Sequence, residues 1–252
     1  MIKKEYLNLY EITKYILRKT GLTNYLKNKL RKMDMMPQSF DNILLNLKQR
    51  GIFANTVIDI GASDGRWSNE VLKVFPEANF LLIEANNIHK NGLDKFIDKN
   101  KNVEYVLAAA GDTLGHVYFN NKDPFGGLAM HEKTDEASIE IPMITVDYCV
   151  GEKKLIGPFL LKLDTHGFEI PILNGASKML KETNIIVIEV YNFKIAEDSL
   201  LFYEMCDYMR KLNFRCSGLI DVSYRPKDNF LWQMDLIFVK DTRKEFDDNN
   251  YA

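Results

Sequence analysis

The chain has 252 residues, 46% hydrophobic and 27% charged, which suits one globular domain with additions rather than two full domains. A formal net charge of -2 supplies no overall field to recruit nucleic acid or an acidic surface. Cys149, Cys206 and Cys216 form no C-x-x-C pair and are odd in number, which argues against a disulfide framework and for a reducing compartment.

Residues 1–50 read as a helical extension, with Leu7, Tyr10, Ile12, Tyr15, Ile16 and Leu17 at helical spacing before a break at Gly21. Between residues 3 and 32 nine Lys/Arg stand against Glu5 and Glu11. Such a basic amphipathic stretch could touch an anionic membrane surface, pack over a sheet edge or form the seam of a homodimer. Pro37 separates it from a short helix over residues 40–48. No apolar run reaches the ~18 residues of a membrane span, and the start, Met1-Ile2-Lys3-Lys4-Glu5, lacks a signal-peptide pattern. The expected location is therefore cytoplasmic.

A catalytic domain is expected over residues 51–240. Thr56-Val57-Ile58-Asp59-Ile60 reads as a buried strand that ends at Gly61, with Gly65 opening a helix. In doubly wound α/β proteins such a turn holds a nucleotide-like ligand. A dinucleotide site wants G-x-G-x-x-G, and here Gly61-Ala62-Ser63-Asp64-Gly65 brings an acid that would repel phosphate. S-adenosylmethionine (SAM) carries a sulfonium and an amino group, so Asp59 and Asp64 would suit it. The turn alone leaves both cofactors open. The second strand, residues 80–83, ends in Glu84-Ala85-Asn86, where an acid can accept hydrogen bonds from ribose hydroxyls in either case.

A third strand, residues 103–107, runs into Ala108-Ala109-Ala110-Gly111-Asp112, which makes Ala109 and Asp112 candidate neighbours of a flat ring. Residues 117–119 and 137–146 are extended, and the stretch 120–131 between them, with Phe125 and His131, reads as an insertion suited to acceptor recognition or a lid. The fourth core strand, residues 159–163, ends in Asp164-Thr165-His166-Gly167-Phe168-Glu169, three ionisable groups within six positions at a strand mouth. A helix over 170–180, a fifth strand over 184–190 and a helix over 199–212 follow. Two closing strands, 214–220 and 233–239, are joined by an excursion over 221–229, and residues 241–252 form a polar tail.

Taken together, these segments resemble the FkbM-like family of SAM-dependent methyltransferases. The resemblance runs from Thr56 to Tyr191 and rests on VIDIGASDGRW, LLIEAN, LAAAGDTLGHVYF, ITVDY, LLKLDTHGFEIPILNGA and IIVIEV, in that order. It implies a class I Rossmann-like fold: a seven-stranded, mostly parallel sheet with helices on both faces and the last strand antiparallel. It also implies methyl transfer, usually to oxygen, with acceptors among glycans and secondary metabolites. Asp59, Gly61 and Gly65 match the family's cofactor turn, with Ala62 and Asp64 inside it; Glu84, beside Ala85, matches its ribose acid; Ala109 matches the alanine after the third strand. Asp164, Gly167 and Glu169 match the second signature, and His166 stands where many members have Glu or Gln.

Methyl transfer needs alignment and, for a hydroxyl acceptor, a base. Asp164 and His166 are the candidates, Asp164 also lying beside the cofactor, with His166 the better suited to proton exchange near neutral pH. No metal is required, although Asp164, Glu189 and His166 could gather Mg²⁺ at the two strand ends. The competing readings are a non-catalytic SAM- or nucleotide-binding partner module and, lower in rank, a nucleic-acid or protein methyltransferase. The former has the intact acid cluster against it; a nucleic-acid acceptor lacks an Asn-Pro-Pro-Tyr-type signature for a flipped base.

Overall fold

The computed structural model describes residues 39–123, 125–133 and 138–250. The basic stretch over residues 3–32, with the membrane and dimer readings attached to it, lies outside the described residues. The compact unit begins at Phe40. Helix α1 (Phe40–Gln49) buries Ile43, Leu44 and Leu47 on the same core as Val71 and Leu93. This helix, assigned from sequence to the extension, thus packs as part of the domain. Strand β1 (Thr56–Ile60) is buried at all five positions, as its β-branched run requires of a strand covered on both faces. Helix α2 (Arg66–Val74), β2 (Asn79–Glu84), α3 (Lys90–Ile97) and β3 (Val103–Leu107) continue the strand–helix alternation.

The chain then builds a second, smaller sheet, of which the sequence pattern announced the extended stretches 117–119 and 137–146 but not their pairing. Strands β4 (Ala109–Ala110), β5 (Gly115–Asn120), β6 (Leu128–Met130) and β7 (Ser138–Ile144) lie in the order β4-β7-β5-β6. Part of the stretch read as an insertion is therefore a hairpin arm, Phe119 facing Ala129 across the β5–β6 ladder. Alternation decides the packing: Val117 and Phe119, with Ile141 and Met143, point into the core of the main sheet.

Helix α4 (Val146–Glu152), β8 (Phe159–Leu163), α5 (Glu169–Asn174), β9 (Thr183–Tyr191), α6 (Phe202–Lys211), β10 (Phe214–Tyr224) and β11 (Leu231–Lys240) complete the domain. The main sheet has seven strands in the order β10-β11-β9-β8-β1-β2-β3. The pairs among β3, β2, β1, β8 and β9 are parallel, and β11 is antiparallel to both neighbours, as expected of a Rossmann-like fold. Strand order reverses beside β1, and the crevice at that switch point is where such sheets bind ligands.

Three boundaries differ from the sequence pattern. The helix expected over 170–180 ends at Asn174, and at the following Gly175 an added Cβ would stand 2.0 Å from the Gly111 carbonyl oxygen, so no side chain fits there. A separate 3₁₀ turn, Met179–Glu182, follows, its start held by the Asp147 carboxylate, which accepts from the backbone N–H groups of Lys178 and Met179 at 2.9 and 2.8 Å. The excursion between the closing strands is shorter than expected: bulges near Asp221, whose φ is 52°, let β10 run on to Tyr224. In the polar tail, Phe246 packs on the core beneath the Arg215 guanidinium, 4.3 Å from its ring centroid.

Candidate active site

The turn after β1 is built for backbone proximity. Gly61 has φ 76°, and a Cβ there would stand 2.0 Å from the Asp164 carbonyl oxygen, so the ends of β1 and β8 touch main chain to main chain. Ser63, with φ 51°, turns its N–H onto Glu84 Oε2 at 2.7 Å, while the Asn86 N–H reaches Glu84 Oε1 at 2.7 Å. Glu84 thus clamps the β1 turn to the β2 end with both oxygens and keeps further lone pairs for a ligand. Burial raises its pKa, and the two backbone donors work against that rise.

A polar row crosses the sheet face that carries α1, α2 and α3. Asp59 of β1 is a register neighbour of Lys162 of β8, and Glu189 of β9 faces Asp235 of β11. Asp59 is fully buried and accepts from Ser68 Oγ at 2.6 Å; burial pushes its pKa up to about 6 against the pull of Lys162. Lys162, its side chain 3% exposed, donates to Asp164 Oδ2 at 2.6 Å. Burial works against the ammonium, but Asp164, Asp59 and Asp235 outweigh it and raise its pKa. Glu189 is pushed to about 7 by burial and by the Asp164 charge, although the Tyr191 hydroxyl donates to Oε1 and Gln233 Nε2 to Oε2 at 2.9 Å. Burial raises Asp235 to about 7 as well. Four carboxylates thus surround one buried ammonium, and this excess of negative charge suits a cationic ligand.

His166, at φ 54°, brings Nε2 to 3.5 Å from Glu189 Oε1 and 3.9 Å from Asp164 Oδ1. Glu169 sits beneath this loop, accepting from Gly167 N at 2.9 Å and Thr165 Oγ1 at 3.2 Å. It shapes the turn rather than facing the cavity. At the other end Phe125 lies 5.3 Å from the His89 ring, and the Arg66 guanidinium lies 5.2 Å over it.

Glu84, Lys162, Asp164, His166, Glu189 and Asp235 line a cavity of about 720 Å³, a volume that accommodates a nucleoside-sized molecule. Of the residues expected from sequence, Gly61, Ala62, Glu84, Ala85, Ala109, Asp164 and His166 line it, and so does Phe125. Asp59 lies below the lining. Asp64 does not face the cavity: its carboxylate is held by Arg66 Nε and Nη2, both at 2.9 Å, which lowers its pKa. Gly65 abuts Phe96, and Asp112 is exposed on the surface. Sequence reasoning missed Lys162, Asp235, Tyr191 and Gln233, which also line the cavity. A lysine inside the buried run Phe159-Leu160-Leu161-Lys162-Leu163, two positions before Asp164, was the legible signal, since period-two alternation puts both on one face.

The profile of the family described as Methyltransferase FkbM domain matches residues 59–216, more than half of the chain. The chain belongs to the FkbM methyltransferase family. An FkbM methyltransferase from Methylobacillus flagellatus KT is a structural neighbour at 15% identity and a TM-score of 0.47, over 72% of this chain and 43% of that one; this chain therefore spans less than half of that protein. The 1,6-didemethyltoxoflavin-N1-methyltransferase of Burkholderia thailandensis aligns at 12% identity and a TM-score of 0.46, over 91% and 89%. A SAM-dependent methyltransferase from Aquifex aeolicus aligns at 14% and 0.41, over 84% and 97%. No curated protein sequence matches the chain.

Membership of the FkbM family makes SAM the cofactor to test against the cavity, and the residues present fit it. Glu84 offers acceptors at the β2 end, Gly61 and Ala109 leave room for a ring and a chain, and the acid excess matches a sulfonium and an ammonium. Trp67 Nε1, buried on an indole that lines the cavity, has no acceptor among the described residues. Among the described residues no helix of this FkbM protein is long and apolar enough to cross a membrane.

Proposed function

We propose that the chain transfers a methyl group from SAM to a hydroxyl of a sugar, a glycan or a secondary metabolite. The observation that carries this reading is the meeting of Asp164, His166 and Glu189 in the cavity that Glu84 also lines. In this reading Glu84 holds the ribose, Gly61, Ala62, Ala85 and Ala109 leave space for the nucleoside, and Asp59 with Asp164 balances the positive charge. Bound SAM supplies a methyl carbon already activated on sulfur, so the protein's task is alignment and proton removal. SAM would give up this methyl group to the acceptor oxygen and leave as the neutral thioether, while Asp164 or His166 would take the hydroxyl proton. Lys162 fixes one Asp164 oxygen and leaves Oδ1 directed towards His166.

Labelled SAM offered with panels of hydroxylated acceptors tests the reading. On a confirmed acceptor, Asp164→Asn should keep SAM binding and lower turnover by at least about 10²-fold, and His166→Ala should be comparably damaging if the two act as one unit. Wild-type turnover by both variants would place the chemistry elsewhere. Labelled nitrogen or nucleic-acid acceptors in the same panel test the competing acceptor classes.

A further inference from the structure

We propose that Asp164 Oδ1, His166 Nε2 and Glu189 Oε1 form a binding site for one divalent first-row transition ion of the Mn²⁺ kind. Each of the three residues brings one ligand atom within 4.8 Å of the others. The two edges that meet at His166 are 3.5 and 3.9 Å, longer than good hydrogen bonds. Ligands bound at about 2.0–2.2 Å with angles near 90–120° stand roughly 3–3.8 Å apart. Small rotations of side chains at a cavity wall would close such a triangle around an ion.

The remaining atoms are already committed in the way metal ligands are. Lys162 donates to the other Asp164 oxygen at 2.6 Å and Gln233 to the other Glu189 oxygen at 2.9 Å, while the Tyr191 hydroxyl donates to Glu189 Oε1 itself, so that an ion there would take a second lone pair of that oxygen. Donors of this sort orient ligating carboxylates. Lys162 acts on Asp164, Asp59 and Asp235 together, so one ammonium faces several carboxylates. Asp235, 7% exposed, lines the same cavity and is the register partner of Glu189, and the charge that opposes its burial is that of the same Lys162. One imidazole with two carboxylates suits Mn²⁺, Fe²⁺, Co²⁺ or Zn²⁺ better than Mg²⁺ or Ca²⁺, which prefer all-oxygen sites.

The consequence deepens the proposed methyl transfer and rests on that reading, although ion binding does not. An ion held by three protein atoms keeps open positions for an acceptor oxygen, whose proton it would acidify before it passes to solvent or to a neighbouring carboxylate. Asp164 and His166 would then act on the acceptor through the ion.

The test uses the full chain, stripped with EDTA and dialysed, with Mn²⁺ as probe and its free-ion electron paramagnetic resonance signal as readout. The expected result is one site per chain, occupied without SAM or acceptor. His166→Ala and Glu189→Gln should each weaken it at least tenfold while far-ultraviolet circular dichroism stays unchanged, and a hundredfold excess of Mg²⁺ should leave it occupied. Absence of Mn²⁺ binding, or equal binding by both variants, would overturn the site, and ready displacement by Mg²⁺ would overturn His166 as a ligand. Calorimetry with SAM on the same metal-free protein separates the readings: SAM binding without Mn²⁺ binding rejects only the ion, and Mn²⁺ binding without SAM binding rejects only the cofactor.

Discussion

Lys162 Nζ lies 2.6 Å from Asp164 Oδ2, with 3% of the lysine side chain and 32% of the aspartate exposed. The ammonium therefore lies under the sheet end while its partner reaches the cavity. Removing the lysine would strand the buried Asp59 charge beside an unpaired Asp164. Lys162→Met should destabilise the protein by about 3 kcal/mol, the lower part of the range for breaking a buried pair, since Asp164 retains some water. Chemical denaturation measures this, and Lys162→Met combined with Asp59→Asn should recover part of the loss. An additive, larger loss in the double variant would mean that the two groups do not share charge.

Glu84 holds two backbone N–H groups, each at 2.7 Å. Replacing it with Ala should cost SAM affinity about 1.5–3 kcal/mol if the ribose hydroxyls also depend on it, and should loosen the turn at Ser63. Glu84→Gln, which keeps the shape and one acceptor, should fall between wild type and Ala. Calorimetry showing unchanged affinity for both variants would remove the ribose from the end of β2.

Gly51 and Gly61 share φ 76°, yet nothing lies within 4 Å of a Cβ at Gly51, whereas one at Gly61 would stand 2.0 Å from the Asp164 carbonyl oxygen. Gly51→Ala should therefore cost about 1 kcal/mol, the strain of the left-handed conformation alone. Gly61→Ala should cost several times that and abolish SAM binding, because β1 and β8 must separate. Thermal melts of the two variants compare strain with strain plus collision; equal melting temperatures would contradict the close contact.

The titration of Asp59 gives a pH signature. Its folded pKa, about 6 against the ordinary 3.8, is raised by burial; Lys162 and the Ser68 hydroxyl oppose the rise, and Asp164 and Glu84 add to it. Between those values the native state binds more protons than the unfolded one, so this group's contribution is present below pH 4 and lost as pH rises through 6. Asp59→Asn mimics the protonated form. Its stability relative to wild type should rise between pH 4 and 7 by at most about 3 kcal/mol, read from denaturation series at several pH values. A flat difference across that window would mean that Asp59 folds without the burial penalty.

The sequence by itself determined the strands of the main sheet and the loops that carry chemistry. Runs such as Thr56–Ile60 and Phe159–Leu163 are apolar enough to be buried on both faces, and Gly61 punctuates the first because a side chain there has nowhere to go. Strand-end positions made Glu84, Asp164 and His166 readable as neighbours of the cavity they line, since parallel strands direct their ends to one crevice. Only the tertiary structure decided the partners. Asp64 is as acidic as Asp59 on paper, but Arg66 two residues on takes its charge outside the cavity. Glu189 and Asp235 are 46 positions apart in sequence and neighbours across β9 and β11, and Lys162 joins the acids only because β8 lies between β1 and β9. The pairing within the second sheet was hidden for the same reason: Ala109 with Met143 and Phe119 with Ile139 meet through contacts between distant segments, which local periodicity does not encode.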